Sequence, residues 1–239
     1  MLGMAILKTY VYISETKVKM LYDQIEEQDR STSKEVGIDI KFFKAGIKTD
    51  VAPRTTLISK LNRVMDVLTD GAQIGSLQEP KQYVSGAMKM KWGTTGYDMA
   101  LFVGKVAGTI VLVGGSEVHL IGESGVPEGS LEAPRARRPT SAMPPIFRHM
   151  SELARTLRAQ EGAGSTTTSA SSSGVALGSV ESVGERQELI ENSLLVADKF
   201  RAPTQALEFV ARQYVLGKSD AAPRRKVLIG SPIYVALAE

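Results

Sequence analysis

Polar and apolar residues alternate along Lys8–Ser14 (KTYVYIS), a stretch rich in β-formers, and this predicts a strand. The pattern then changes period. Val18, Leu21, Tyr22 and Ile25 recur at helical spacing while Lys17, Lys19, Asp23 and Glu26 fall on the opposite side, which predicts an amphipathic helix with Ser14 at its N-cap. Gly37–Val51 carries Ile38, Ile40 and Phe42 in alternation and reads as a second extended segment ending before Pro53. A second helix starts near Arg54, where Leu57, Ile58, Leu61, Val64, Met65 and Leu68 form the cleanest 3.6-residue stripe, closed by Asp70-Gly71.

Beyond this β-α-β-α opening, short strands separated by Gly-containing turns predict an antiparallel meander over Tyr83–Trp92, Met99–Val103, Thr109–Val113 and Glu117–Ile121. Met88, Met90 and Trp92 share one face of the first of these, as core residues do. Residues 123–145 are rich in Pro, Gly, Ser and Arg and read as a loop. Ile146, Met150, Leu153 and Leu157 define a third helix, followed by a Ser/Gly-rich linker over 161–184. Two further helical patterns follow: Leu189, Ile190, Leu194, Ala197 and Phe200, then Leu207, Val210, Ala211 and Tyr214 after Pro203. The closing run Lys226–Leu237 (KVLIGSPIYVAL) predicts a buried strand returning to the N-terminal sheet. The fold class implied is α+β with helices packed on the sheet, a single domain over 1–239 interrupted by the loop and the linker.

Composition narrows the function classes. Of 239 residues 43% are hydrophobic, enough to bury a core, and none is cysteine, so disulfides, thiolate metal sites and cysteine nucleophiles are excluded and a reduced, cytoplasmic setting is expected. The 29 basic and 26 acidic residues leave a net charge of +3, too weak and too scattered for a nucleic-acid stripe; Arg135, Arg137 and Arg138 and the run Arg224, Arg225, Lys226 lack interleaved aromatics and read as solvated loops. No secretion signal is evident at the N-terminus, and no apolar run approaches the ~20 residues of a spanning helix, so no membrane partner is expected. The two histidines, His119 and His149, have no metal-ligand spacing, and no metal is assigned. P-loop, dinucleotide-fold and nucleophile-elbow signatures are all missing, and no cofactor is implied.

Ser14-Glu15-Thr16-Lys17 matches the Ser-x-x-Lys string of penicillin-recognising enzymes, but so does Ser31-Thr32-Ser33-Lys34, and the completing motifs are absent. Position says more than the string. Ser14, Thr16 and Lys17 stand where a strand gives way to a helix N-terminus, whose free amides and dipole suit an anion. Gly75-Ser76, Gly114-Gly115-Ser116 and Gly230-Ser231-Pro232 read as strand-turn sites. Converging on one edge, they would line a cleft with Lys17, His119 and Tyr234 as polar anchors; the alternative is that they are turns chosen for conformational freedom. His119, between Val118 and Leu120, reads as exposed or structurally hydrogen-bonded.

The blocks YVYISETKVKMLYDQI, IGSLQEP with MKMKWG after it, VLVGGSEVHLIG and VLIGSPIYVAL occur in an order that resembles an uncharacterised family of bacterial proteins, a domain of unknown function. The resemblance implies bacterial origin and integrity as one domain, and carries no catalytic residue over. Three functions follow as expectations: a cytoplasmic small-molecule protein binding an anionic or nucleotide-like ligand through Ser14, Thr16, Lys17, Ser116, His119, Ser231 and Tyr234; a hydrolase or transferase using a Ser/Thr hydroxyl or Mg²⁺, for which Ser116 or Ser231 within reach of His119 is the requirement; and a protein-interaction module presenting the C-terminal helical stripe to a partner.

Overall fold

The computed structural model describes residues 8–35, 56–95, 98–121, 145–162, 183–220 and 224–238. The extended segment expected over 37–51 lies outside them, as do the loop of 123–145 except Pro145 and residues 163–182 of the expected linker. The chain is a mixed α and β protein. Its strands are β1 (Tyr10–Ile13), β2 (Ile74–Gly75), β3 (Tyr83–Thr95), β4 (Met99–Val106), β5 (Thr109–Ser116), β6 (Thr204–Lys218) and β7 (Lys226–Leu237), and its helices α1 (Glu15–Glu35), α2 (Leu57–Asp70), α3 (Pro145–Gly162) and α4 (Val183–Lys199). The ends of the expected linker are thus helical: 161–162 finish α3 and 183–184 begin α4.

Five strands close on themselves. β3 pairs antiparallel with β4, β4 with β5, β5 runs parallel to β7, β7 pairs antiparallel with β6, and β6 returns to β3. Closure removes the free edges an open meander would leave. Val84, Met90 and Trp92 of β3, Ala100 and Phe102 of β4, Val111 and Val113 of β5, Leu207, Phe209 and Ala211 of β6, and Leu228 and Val235 of β7 form one buried cluster, which is the interior of the ring. Trp92 stacks on Phe102, its partner across the β3–β4 ladder, at 5.9 Å.

The outer surface is covered on two sides. α3 and α4 bury Met99, Leu101 and Val103 of β4 with Ile110 and Leu112 of β5. Leu61, Val64 and Leu68 of α2 and Val18 of α1 bury Ile13, Tyr83, Val210, Ile233 and Ala236. Strands apolar on both faces lose the clean alternation of a half-wet sheet. This is why Leu207, Val210, Ala211 and Tyr214, expected on a helix, lie on β6: Leu207 and Ala211 face the interior while Val210 packs on the α1–α2 side, and the two faces read together mimic helical spacing. Leu207, Val210 and Ala211 are buried, so the expected stripe does not stand exposed for a partner. Glu117–Ile121, expected as a strand, is a 3₁₀ turn over Glu117–His119 followed by a single bridge from Leu120 to Tyr12.

β1 completes the wall. After Val113 pairs with Gly230, β5 and β7 separate, and β1 enters between them, pairing with Tyr234–Ala236 of β7 on one side and meeting Leu120 on the other. Tyr12 thereby enters the interior, fully buried, edge-on to Phe102 at 5.9 Å. A Cβ on Gly115 would stand 2.1 Å from the Tyr12 phenol oxygen, so glycine is required there by close approach, in mid-strand and not in a turn. Gly115→Ala should destabilise by roughly 1–3 kcal/mol, as overpacking does, and Tyr12→Phe in the same chain should recover part of the loss. Urea denaturation of the four chains checks this; strictly additive effects would show that the phenol is not what the methyl meets.

α3 is fixed by a buried polar contact. His149, 4% exposed, meets the Thr95 hydroxyl at 2.7 Å through Nε2, and Thr95 donates to the Met99 carbonyl at 3.3 Å. Burial pushes the His149 pKa down to about 4. Above pH 6.5 the imidazole is neutral folded or unfolded; between 6.5 and about 4 the unfolded chain takes up the proton and the folded one resists, so stability falls with falling pH. The shift corresponds to at most about 3 kcal/mol. The slope of melting temperature against pH in this window should flatten in His149→Gln, and an unchanged slope would assign the acid sensitivity to other groups.

Candidate functional site

The gap where β5 and β7 part leaves backbone groups of β7 without a strand partner, and the start of α1 takes them. The Ser14 N–H donates to the Ile233 carbonyl at 2.8 Å, and the Ser14 carbonyl accepts from Val18 N–H at 2.9 Å, placing Ser14 at the N-cap position. Burial pushes the pKa of the neighbouring Tyr12 phenol up to about 12, with the Ser14 side chain working the other way. One turn into α1, the Lys17 ammonium donates to the Ser231 hydroxyl in a very short contact and to the Pro232 carbonyl at 2.9 Å.

Gly230-Ser231-Pro232 is therefore not a turn but a bulged stretch inside β7. Val210 pairs with Tyr234 and Ala211 with Pro232, so Ile233 is the extra residue, and a proline without an N–H to contribute is tolerated at such an irregularity. Gly230 is set by packing: a Cβ there would lie 2.7 Å from the Arg212 carbonyl.

Across the ladder, Arg212 pairs with Ser231 on one side and Tyr83 on the other, a row on the outer face of the barrel. The Arg212 guanidinium is 5.9 Å from the centre of the Tyr214 ring. Burial, and then the charge of Arg212, push the Lys17 pKa down to about 8. Among the described residues, neither Lys17 nor Arg212 has a carboxylate at ion-pair distance. Lys17, bonded to Ser231, and Arg212, opposite Ser231 in the ladder, are thus neighbouring cations with no counter-charge among the described residues.

His119 closes the other side. It is half-buried, its Nε2 lies 3.5 Å from the Thr16 hydroxyl, and its ring stands edge-on to Tyr12 at 5.9 Å. Burial, with help from Lys17, lowers its pKa while Glu15 works the other way. This is a packing contact at the limit of hydrogen-bond length.

Five of the seven residues expected at the site, Ser14, Thr16, Lys17, His119 and Ser231, meet here. Ser116 is exposed at the end of β5, before the 3₁₀ turn, with no side-chain capping bond. Tyr234 belongs to a separate group further along β7, with Tyr10 edge-on at 5.7 Å and Lys8, which also pairs with Glu208 at 2.6 Å. Ser76 is occupied in a local turn, accepting from Gln78 and Glu79 N–H at 3.2 and 3.1 Å. Of the three Gly-Ser sites, only those of β5 and β7 flank the gap, and both are strand segments. Sequence reasoning missed Arg212 and Tyr12. Arg212 was concealed by the helical reading of β6; its signal was its place as the one charge in Phe209–Leu216, beside the apolar alternation Leu207, Phe209, Ala211.

The arrangement suits an anion. Among the described residues no three His, Cys, Asp or Glu side chains gather to hold a metal, and none of the helices is long and apolar enough to cross a membrane. Beside the exposed Glu15 carboxylate in the first turn of α1, the donors at the gap are the Lys17 ammonium, the Arg212 guanidinium and the first-turn N–H groups of α1, which a helix leaves without internal partners.

No curated protein and no solved structure matches the chain. One family model does, over residues 8–239, a span that takes in every described element and so both sides of the gap. The chain belongs to the family of unknown function DUF7019.

Proposed function

We propose that this protein binds a small anionic molecule, carrying a phosphate or carboxylate, at the gap between β5 and β7. The observation that carries the reading is the pair Lys17 and Arg212, the first bonded to Ser231 and the second opposite it in the β6–β7 ladder, neither with a carboxylate partner among the described residues. A half-buried ammonium beside an exposed guanidinium destabilises a fold unless something relieves the repulsion, and an anion near both relieves it. The first-turn amides of α1 add neutral donors whose dipole has the same sign. The same reading treats residues 1–239 as one unit, because β1 and β7, from opposite ends of the chain, are paired and jointly build the site.

Inorganic phosphate and pyrophosphate serve as probes. Each should raise the melting temperature of the parent chain, and Lys17→Ala should weaken binding by about tenfold or more, the loss of one charge-assisted hydrogen bond. Affinity should fall as pH rises through about 8, because Lys17 carries its charge below that value and loses it above. Calorimetric titration with circular dichroism as a folding control measures both effects. Binding that is indifferent to Lys17→Ala in a folded chain removes this site.

A further inference from the structure

The contact between Lys17 and Ser231 has chemistry of its own. We propose that Ser231 and Lys17 form a nucleophile–base pair that cleaves a carboxylic ester bearing an anionic group, the anion being held by Arg212. The proposal rests on the anion-binding reading for substrate placement and on the side-chain geometry for the reaction.

The geometry is that of an activated nucleophile: a serine hydroxyl in direct hydrogen bond with a basic side chain, which is in turn oriented by a third group, here the Pro232 carbonyl at 2.9 Å. His119 does not supply the base; its Nε2 is directed to Thr16, and Lys17 takes the place that a histidine holds in the commoner arrangement. The bulge at Ile233 fixes the hydroxyl where the β7 backbone departs from its regular ladder, a place where strands re-aim side chains. Ser231 is a buried residue, 7% exposed, so the nucleophile is recessed. Arg212, directly opposite Ser231 in the ladder and exposed, remains charged whatever the state of Lys17 and so can hold an anion while the amine is neutral. With a pKa of about 8, about one Lys17 in ten is neutral at pH 7.

The step balances without any further cofactor. The neutral Lys17 amine takes the Ser231 proton as Oγ bonds to the ester carbonyl carbon. The tetrahedral adduct collapses, the bond from carbon to the alkoxy oxygen breaks, and the Lys17 ammonium returns its proton to the departing alcohol. Water then attacks the acyl-serine, giving a proton to Lys17 as it adds; Lys17 passes that proton to Ser231 as the carboxylic acid leaves. The bond from Ser14 N–H to the Ile233 carbonyl holds the start of α1 against β7 two residues from Ser231, which puts the first-turn amides on the same stretch of the strand as the nucleophile.

An alkyl fluorophosphonate, which requires an activated serine, tests the pair on the full chain. Intact mass and peptide mapping should place one adduct on Ser231, absent in Ser231→Ala, and the labelling rate should follow a single ionisation near pH 8. Lys17→Arg is the deciding variant. It keeps a cation but not a base, so the labelling rate should fall by ~100-fold or more, the scale of general-base assistance, in a chain whose circular dichroism matches the parent. No adduct at Ser231 in a parent chain that does bind phosphate overturns the pair and leaves the binding site standing. Equal labelling of parent and Lys17→Arg also overturns it, by removing the base. A parent chain that labels at Ser231 but shows no response to phosphate supports the pair and refutes the anion site instead.

Discussion

Everything distinctive about this molecule depends on how β7 changes partners along one edge. Its other edge is bonded to β6 from Lys226 to Leu237, but this edge is shared: β5 takes Lys226–Gly230 in parallel and β1 takes Tyr234–Ala236 antiparallel. A parallel and an antiparallel ladder space their hydrogen bonds differently, so one cannot pass into the other without a break. Ser231, Pro232 and Ile233 are that break. Buried carbonyls must find partners, and here they are the Lys17 ammonium of α1 on Pro232 and the N–H of Ser14, the α1 N-cap, on Ile233. The site is the way the sheet resolves its own discontinuity.

That origin explains which parts could be read from sequence. The β1-α1 junction, the α2 stripe, the first three strands of the meander and the closing apolar run each carry a local period, and the structure has each of them, while Glu117–Ile121 is not a strand. The Gly-Ser-Pro interruption of the last strand was equally visible, and so was the position of Lys17 one turn past a strand-to-helix junction. What no local pattern holds is closure. A strand packed on both faces shows neither alternation nor a helical stripe unmixed, and β6 was the strand so disguised; with it went Arg212, whose importance lies only in facing Ser231 across a ladder. Gly114-Gly115 illustrates the same limit. The sequence shows two glycines, but only the incoming Tyr12 ring shows that the second is there to make room, not to turn the chain.

Lys17 is held by two oxygens that bear no formal charge and has another cation as its neighbour, the opposite of the carboxylate pairing that stabilises a structural lysine. Burial is the larger cause of its lowered pKa and Arg212 the smaller. If the lysine served only to satisfy Pro232 and Ser231, a neutral donor would satisfy them without the desolvation of a charge. Charge at this point is therefore a cost to the fold, and the proposed anion would offset it.

Binding and catalysis make opposed demands on that charge. An anion beside Lys17 favours the ammonium and raises its pKa, which leaves fewer chains with a free amine but makes each free amine a stronger base. An anion anchored at Arg212 instead, across the ladder, satisfies the exposed cation, weakens its repulsion of Lys17, and keeps the amine at the serine. The division of labour thus follows from geometry: the exposed guanidinium, which never loses its proton, is suited to hold, and the recessed amine, which can, is suited to transfer.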